Sequence, residues 1–161
     1  MSQQAEQLDM TDEESAVVLD REAIDELLGT GGVGVLALAE ESDPYAIPVS
    51  YGYDADAGEL YLRLGFGEES EKRRYLKRSD RAALVVTAEG DHGWESVVVR
   101  GPLSEIPEAN IDGTVVEAIR SIDIPFFTIY EEAPRELEYQ LYRLRPEEIT
   151  GRREKPPVGI E

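Results

Sequence analysis

The chain has 161 residues, 41% of them hydrophobic, and a formal charge of −19, with 35 acidic residues spread along its length. This describes one ordinary domain with a core, and a surface that repels nucleic-acid phosphates and anionic membranes, because no basic stripe is present to release their counterions. The lack of cysteine excludes disulfides, iron–sulfur clusters and thiolate chemistry, and a single histidine, His92, excludes a multi-histidine metal site within one chain, so no metal is expected.

Thirteen of the sixteen basic residues are arginine; the lysines are Lys72, Lys77 and Lys155. Excess acid with scarce lysine suits a protein kept soluble in concentrated salt, where screening relieves self-repulsion, and points to a halophilic source. An ordinary acidic cytosolic protein is the alternative. The start MSQQAEQLDMTDEES has neither a basic region nor an apolar core, and no apolar run reaches the roughly 20 residues of a membrane span. A cytoplasmic location is expected.

In chain order, residues 1–15 are polar, acidic and aperiodic, and read as a disordered leader. Asp20 can cap a short helix running through Leu28, with Ile24, Leu27 and Leu28 on one face and Gly29 as its stop. Strands are expected at 32–39, 45–53 and 59–65, separated by the turn-rich EESDP and DADAG. In YAIPVSYGYD, alternation puts Ala46, Pro48, Ser50 and Gly52 on one face and Tyr45, Ile47, Val49, Tyr51 and Tyr53 on the other. The small-residue face has room for a planar ligand, and Pro48 implies an edge position or a bulge.

A charged helix is expected over 68–78, strands at 83–88 and 96–106, and a helix over 109–122. IPFFTIY at 124–130 has no regular period and reads as a loop packed over a pocket or a partner. LEYQLYRLRP supplies a sixth strand, and residues 151–161 read as a flexible tail. The domain is therefore expected over 16–150, as a mainly β, six-stranded antiparallel barrel with peripheral helices rather than a doubly wound sheet.

GTGGVG at 29–34 matches G-x-G-x-x-G literally, but it closes a helix and opens a strand. A dinucleotide fold needs the reverse order, so the run reads as a cap and turn. RLGFGEESEKRRYLKR at 63–78 places Arg63 at a strand end and Ser70 and Lys72 at the mouth of a helix. Free N–H groups, a hydroxyl and two cations there could converge on one phosphate. A solvated helix with Glu68/Lys72 and Glu69/Arg73 pairs fits the same residues. Trp94 and Ser96 could flank an aromatic ligand, or Trp94 could be a half-buried strand-edge residue. No spaced carboxylates and no Ser/His/Asp set suggest an acid/base pair or a nucleophile.

Taken together and in order, IPVSYGYD, ELYLRLGFGEESEKRRYLKRSDRAALVV and WESVVVRGPL resemble the FMN-binding split-barrel family related to pyridoxamine 5′-phosphate oxidase, in its nitroimidazole-resistance-like branch. The resemblance covers about residues 20–150. It implies a split barrel whose homodimer holds FMN in two clefts between subunits. Val49, Ser50 and Tyr51 would lie along the flavin; Arg63, Ser70 and Lys72 would form its phosphate site, with Leu64 a further cofactor contact; Trp94 and Ser96 would lie near the ring or ribityl. A small-molecule oxidoreductase follows from the resemblance, with a deazaflavin-dependent reductase or a non-catalytic flavin-binding dimer as alternatives. Two departures stand out. Glu68, Glu69 and Glu71 crowd the expected phosphate site, and LRPEEITGRREKPP lacks the arginine and histidine pattern of vitamin B6 oxidation.

Overall fold

The computed structural model describes residues 16–67, 71–90, 93–107 and 138–154. The expected leader over 1–15, the helix over 109–122, the IPFFTIY segment, Ser70 with its neighbours Glu68 and Glu69, His92 and residues 155–161 lie outside them. The described elements are β1 (Ala16–Val18), α1 (Arg21–Leu28), β2 (Gly31–Glu40), β3 (Asp43–Asp54), β4 (Glu59–Phe66), α2 (Glu71–Arg78), β5 (Arg81–Gly90), β6 (Gly93–Glu105), β7 (Glu138–Leu144) and β8 (Glu148–Glu154).

α1 forms where local chemistry dictates. The Asp20 carboxylate accepts from the Ala23 N–H at 2.9 Å, satisfying one of the orphan donors of the first turn. Gly29 ends the helix at φ 59°, a conformation costly for any residue with a Cβ, and its N–H donates to the Asp25 carbonyl. Ile24 and Leu28 are buried. The GTGGVG run is thus a helix stop followed by a strand, as expected from its order.

All strand pairs are antiparallel, and β6–β5–β2–β3–β4–β7 return to β6, making the expected six-stranded split barrel. Alternation fills its interior with Leu36, Leu38, Val49, Tyr51, Tyr53, Leu60, Leu62, Leu64, Leu84, Val97, Val99 and Leu144, all at most 6% exposed. Truncating any of these leucines to alanine costs about 2–5 kcal/mol through lost burial and the cavity left behind. Pro48 sits in the half of β3 that pairs only with β2, because the β3–β4 ladder begins at Ser50; its missing N–H leaves no ladder bond unmade on the β4 side.

The ring closes through one short register, Leu103, Ser104 and Glu105 of β6 against Leu144, Arg143 and Tyr142 of β7. Further back, Glu95–Arg100 of β6 pairs with β8. The change of partner falls at Gly101, where a Cβ would lie 1.9 Å from the Arg145 carbonyl oxygen. There the chain between β7 and β8 crosses β6, bonding Pro102 and Arg100 through the Arg145 and Glu147 N–H groups.

Two strands beyond the expected six, β8 and the edge strand β1, extend the sheet from β6. GRRE at 151–154 read as the start of a tail because it is polar; in β8 only Ile149 and Gly151 turn toward α1 and the core. Its hydrogen bonds come from β6, some fifty residues earlier, and leave no local trace. The ordered barrel therefore runs past residue 150, to Glu154.

Candidate functional site

The β4–α2 junction carries the residues expected to grip a phosphate. Arg63 and Ser50 are register partners, so both side chains stand on the outer face of the barrel, with Leu141 of β7 on the far side of Arg63. The Arg63 guanidinium lies 4.2 Å from the centre of the Tyr139 ring, which in turn packs over Gly65, whose missing Cβ leaves it room. Tyr139 was not legible as a site residue, because its pairing with β4 is long-range.

Lys72, in the first turn of α2, donates from Nζ to the Gly65 carbonyl at 2.6 Å. It is half-buried, and burial pulls its pKa below the ordinary lysine value. Among the described residues no carboxylate comes within ion-pair distance of Lys72. α2 is fixed over the β2–β3 hairpin by Arg74 and Arg78 on Glu40, by the Tyr75 hydroxyl donating to Asp43 at 2.8 Å, and by Tyr75 stacking on Tyr45 at 4.6 Å. The junction thus holds a partly desolvated ammonium tethered to the Gly65 carbonyl, two residues past Arg63 of β4. Such a pair suits a phosphate oxyanion. Ser70, the expected hydroxyl, lies outside the described residues.

The three residues expected to line a flavin from β3 separate by face. Ser50, 8% exposed, shares the outer face with Arg63. Val49 and Tyr51 point into the core, as does Leu64 of β4, so they can meet an outer-face ligand only through backbone atoms. The Tyr51 hydroxyl donates to the Leu28 carbonyl at 3.0 Å, tying α1 to the barrel, and burial pushes its pKa up to about 12.

Trp94 and Ser96 stand elsewhere. β7 alone separates β4 from β6 where the ring closes at Leu103–Glu105, but Trp94 and Ser96 lie at the opposite end of β6, in and beside the stretch that pairs with β8, so one chain does not bring them to the Arg63–Lys72 pair. They line an open groove of about 540 Å³ with Thr87, Glu95, Arg152, Arg153 and Glu154. Ser96 is the register partner of both Thr87 and Arg152, which places these three side chains in one row. Trp94 is 53% exposed. Arg152 and Arg153 were missed by sequence reasoning, since only the β6–β8 pairing shows that GRRE reaches this groove.

Between the two sites, the outer face carries an apolar row across four strands: Pro48, Val35, Val85 and Val98, each the register partner of the next. Val35 is 43% exposed. Among the described residues no helix is long and apolar enough to cross a membrane, and no group of three or more acidic residues could hold a metal ion.

The family profile described as pyridoxamine 5′-phosphate oxidase matches residues 20–153. An uncharacterized protein of Rhizobium meliloti is 24% identical over 135 residues, which is 83% of this chain and 82% of that protein. Among solved structures, an FAD-binding protein of Mesorhizobium loti is 26% identical with a TM-score of 0.68, covering 88% of this chain and 98% of that one. A candidate 5-nitroimidazole antibiotic resistance protein of Bacteroides thetaiotaomicron matches in fold at a TM-score of 0.62, with 19% identity over 85% of this chain and 86% of that one.

Proposed function

The chain belongs to the pyridoxamine 5′-phosphate oxidase family, and from that premise we propose that it binds FMN and works as an oxidoreductase on a small molecule. The observation that carries this reading is the Lys72 ammonium, half-buried, without a carboxylate among the described residues, and anchored to the Gly65 carbonyl, two residues along β4 from Arg63. A dianionic phosphate placed there would recover the solvation that Lys72 loses on folding. The FAD-binding character of the Mesorhizobium loti protein supports a flavin, and Arg63 and Lys72 at the β4–α2 junction support its phosphate.

Bound flavin would supply the electron transfer, and the protein the binding and orientation. Arg63 and Lys72 hold the phosphate, Ser50 gives a small polar floor beside Arg63, and the backbone of Val49–Tyr51 borders the same strand. The Pro48–Val35–Val85–Val98 row is the surface on which a second copy would pack, so the functional unit is a homodimer with flavin at the subunit boundary.

An FMN titration followed by flavin fluorescence tests the site. Lys72→Ala and Arg63→Ala should each weaken FMN by about tenfold or more, the worth of a charge-assisted contact. Unchanged affinity in folded variants overturns the assignment. Reduction of the bound flavin by NADH or NADPH then separates an oxidoreductase from a flavin carrier.

A further inference from the structure

We propose that Gly65 and Tyr139 are the positioning residues of the phosphate site. The bare Cα of Gly65 seats the Tyr139 ring, that ring fixes the Arg63 guanidinium, and the Gly65 carbonyl fixes Lys72. The inference deepens the flavin-phosphate reading and rests on it.

The first observation is that both cations trace back to one residue. Lys72 donates from Nζ to the Gly65 carbonyl at 2.6 Å. Gly65 is also the register partner of Tyr139, and Arg63, two residues back on the same outer face, stands diagonal to that ring. The guanidinium lies 4.2 Å from the ring centre. An arginine ordered only when ligand arrives loses rotamer entropy at that step, whereas one already held against a ring does not. A stack meets the face of the guanidinium and uses none of its N–H donors, so it orients the cation without competing with a phosphate for them.

The second observation is why residue 65 is a glycine. Its backbone does not require one: the glycines at positive φ are Gly29, Gly31, Gly58 and Gly93, and an alanine would fit the conformation of Gly65. What a Cβ would meet is the ring, with Tyr139 Cε1 at 3.1 Å, Cδ1 at 3.5 Å and Cζ at 3.8 Å as the three nearest atoms. Glycine inside a strand weakens it, and close approach of another group is the compensating use. A ring that only covered the barrel could ride outward over a methyl group. A ring that sets the place of Arg63 could not do so without moving the cation.

The readout is the preference for FMN over riboflavin, two flavins that differ by the phosphate alone, from fluorescence titrations of the full chain. The parent should bind FMN more tightly. Tyr139→Leu keeps an apolar side chain on β7 but removes the π face, and should cut that preference about three- to tenfold while leaving riboflavin affinity and the far-UV circular dichroism as in the parent. Tyr139→Phe keeps the face and should hold the preference within about twofold. Gly65→Ala should lower the preference by displacing the ring, with the carbonyl still in place for Lys72; in the Tyr139→Leu background the same alanine should cost nothing further. A preference unchanged in Tyr139→Leu, an equal loss of FMN and riboflavin, or additive costs of the two substitutions overturns the proposal. Should Tyr139→Leu fail to fold, a preference unchanged by Gly65→Ala overturns it as well, and a reduced one supports it. A parent that binds both flavins equally, or neither, defeats the phosphate reading and this inference together. A parent that prefers FMN, with Tyr139→Leu preferring it as strongly, defeats this inference alone.

Discussion

The Tyr53 hydroxyl donates to the Asp25 carboxylate at 2.6 Å, joining the inner face of β3 to the middle of α1. Arg21 completes the set, donating from Nη2 to the same hydroxyl at 3.1 Å and from Nε to Asp25 at 3.0 Å. The Tyr53 hydrogen bond is the main reason the Asp25 carboxyl titrates below its ordinary value of 3.8. A carboxylate depressed in this way stabilises the fold above its unfolded pKa, and that contribution is lost as pH falls from about 4 through the folded value. Tyr53→Phe should therefore cost about 1 kcal/mol at neutral pH and flatten the acid limb of stability below pH ~4. Urea midpoints measured across pH 2–7 check both parts; a parallel offset at every pH would mean that Asp25 is not the linked group.

Gly101→Ala tests the split of the barrel. The added Cβ would stand 1.9 Å from the Arg145 carbonyl, and that carbonyl is held in a crossing whose neighbouring N–H groups are already bonded to β6. Backbone has to move, and the ring closure through Leu103–Leu144 moves with it. A loss of about 3 kcal/mol or more is expected in chemical denaturation. Gly67→Ala is the control: nothing lies within 4 Å of its Cβ position, and a change within about 0.5 kcal/mol is expected.

The contrast between α1 and β8 explains what the sequence could disclose. Asp20 and Gly29 act on backbone groups three or four residues away, so the helix ends are legible. The six ring strands are legible through alternation, since each buries one face. β8 buries almost none of its side chains and exists because β6 needs a neighbour beyond Gly101. The same divide runs through the two sites. Arg63 and Lys72 could be read as a strand end followed by a helix mouth, a local pattern. Arg152 meets Ser96 only through pairing across more than fifty residues, so in sequence it is a charge near the end of the chain.

Salt should stabilise the protein while loosening its visible ion pairs. At −19 the acidic surface repels itself, and raising NaCl from about 0.1 M to about 2 M shortens the Debye length from ~10 Å to a few Å. The thermal midpoint is expected to rise over that range. The exposed contacts of Glu40 with Arg74 and Arg78 should matter only at the low-salt end. Glu40→Gln is accordingly expected to lower the midpoint slightly in dilute buffer and not at all in molar salt. A midpoint that does not change with salt would remove the halophilic reading.

Val35→Arg addresses the second copy. Val35 is the exposed centre of the Pro48–Val35–Val85–Val98 row, so a charge there points away from the core and leaves the barrel intact. Two arginines brought face to face at a twofold contact would each lose hydration. Sedimentation at micromolar concentration should show a dimer for the parent and a monomer for the variant, with unchanged far-UV circular dichroism and weaker FMN binding. A dimer that survives the substitution places the interface elsewhere.

Lys72 supplies the pH test of the phosphate site. Burial already lowers its pKa from the ordinary value of 10.5, so in the free protein the ammonium is lost earlier than on an exposed lysine as pH rises. The unfolded chain holds that proton more tightly, so in the window between the folded pKa and 10.5 this group makes stability rise with pH. Ligand binding runs the other way. A bound phosphate dianion favours the charged form, draws the pKa back up and takes up a proton, so FMN affinity should fall with pH within that same window. Above pH ~7 the phosphate itself is already doubly ionised, which leaves the lysine as the titrating partner. Lys72→Arg keeps the charge at every accessible pH and should carry tight binding past pH 10.5, with a modest loss near neutrality because a guanidinium cannot reproduce the point-charge contact to the Gly65 carbonyl. Dissociation constants from flavin fluorescence between pH 7 and 11 separate the outcomes. An identical alkaline decline in parent and Lys72→Arg protein would show that another group holds the phosphate, and Lys72 would then be only the tether between α2 and β4.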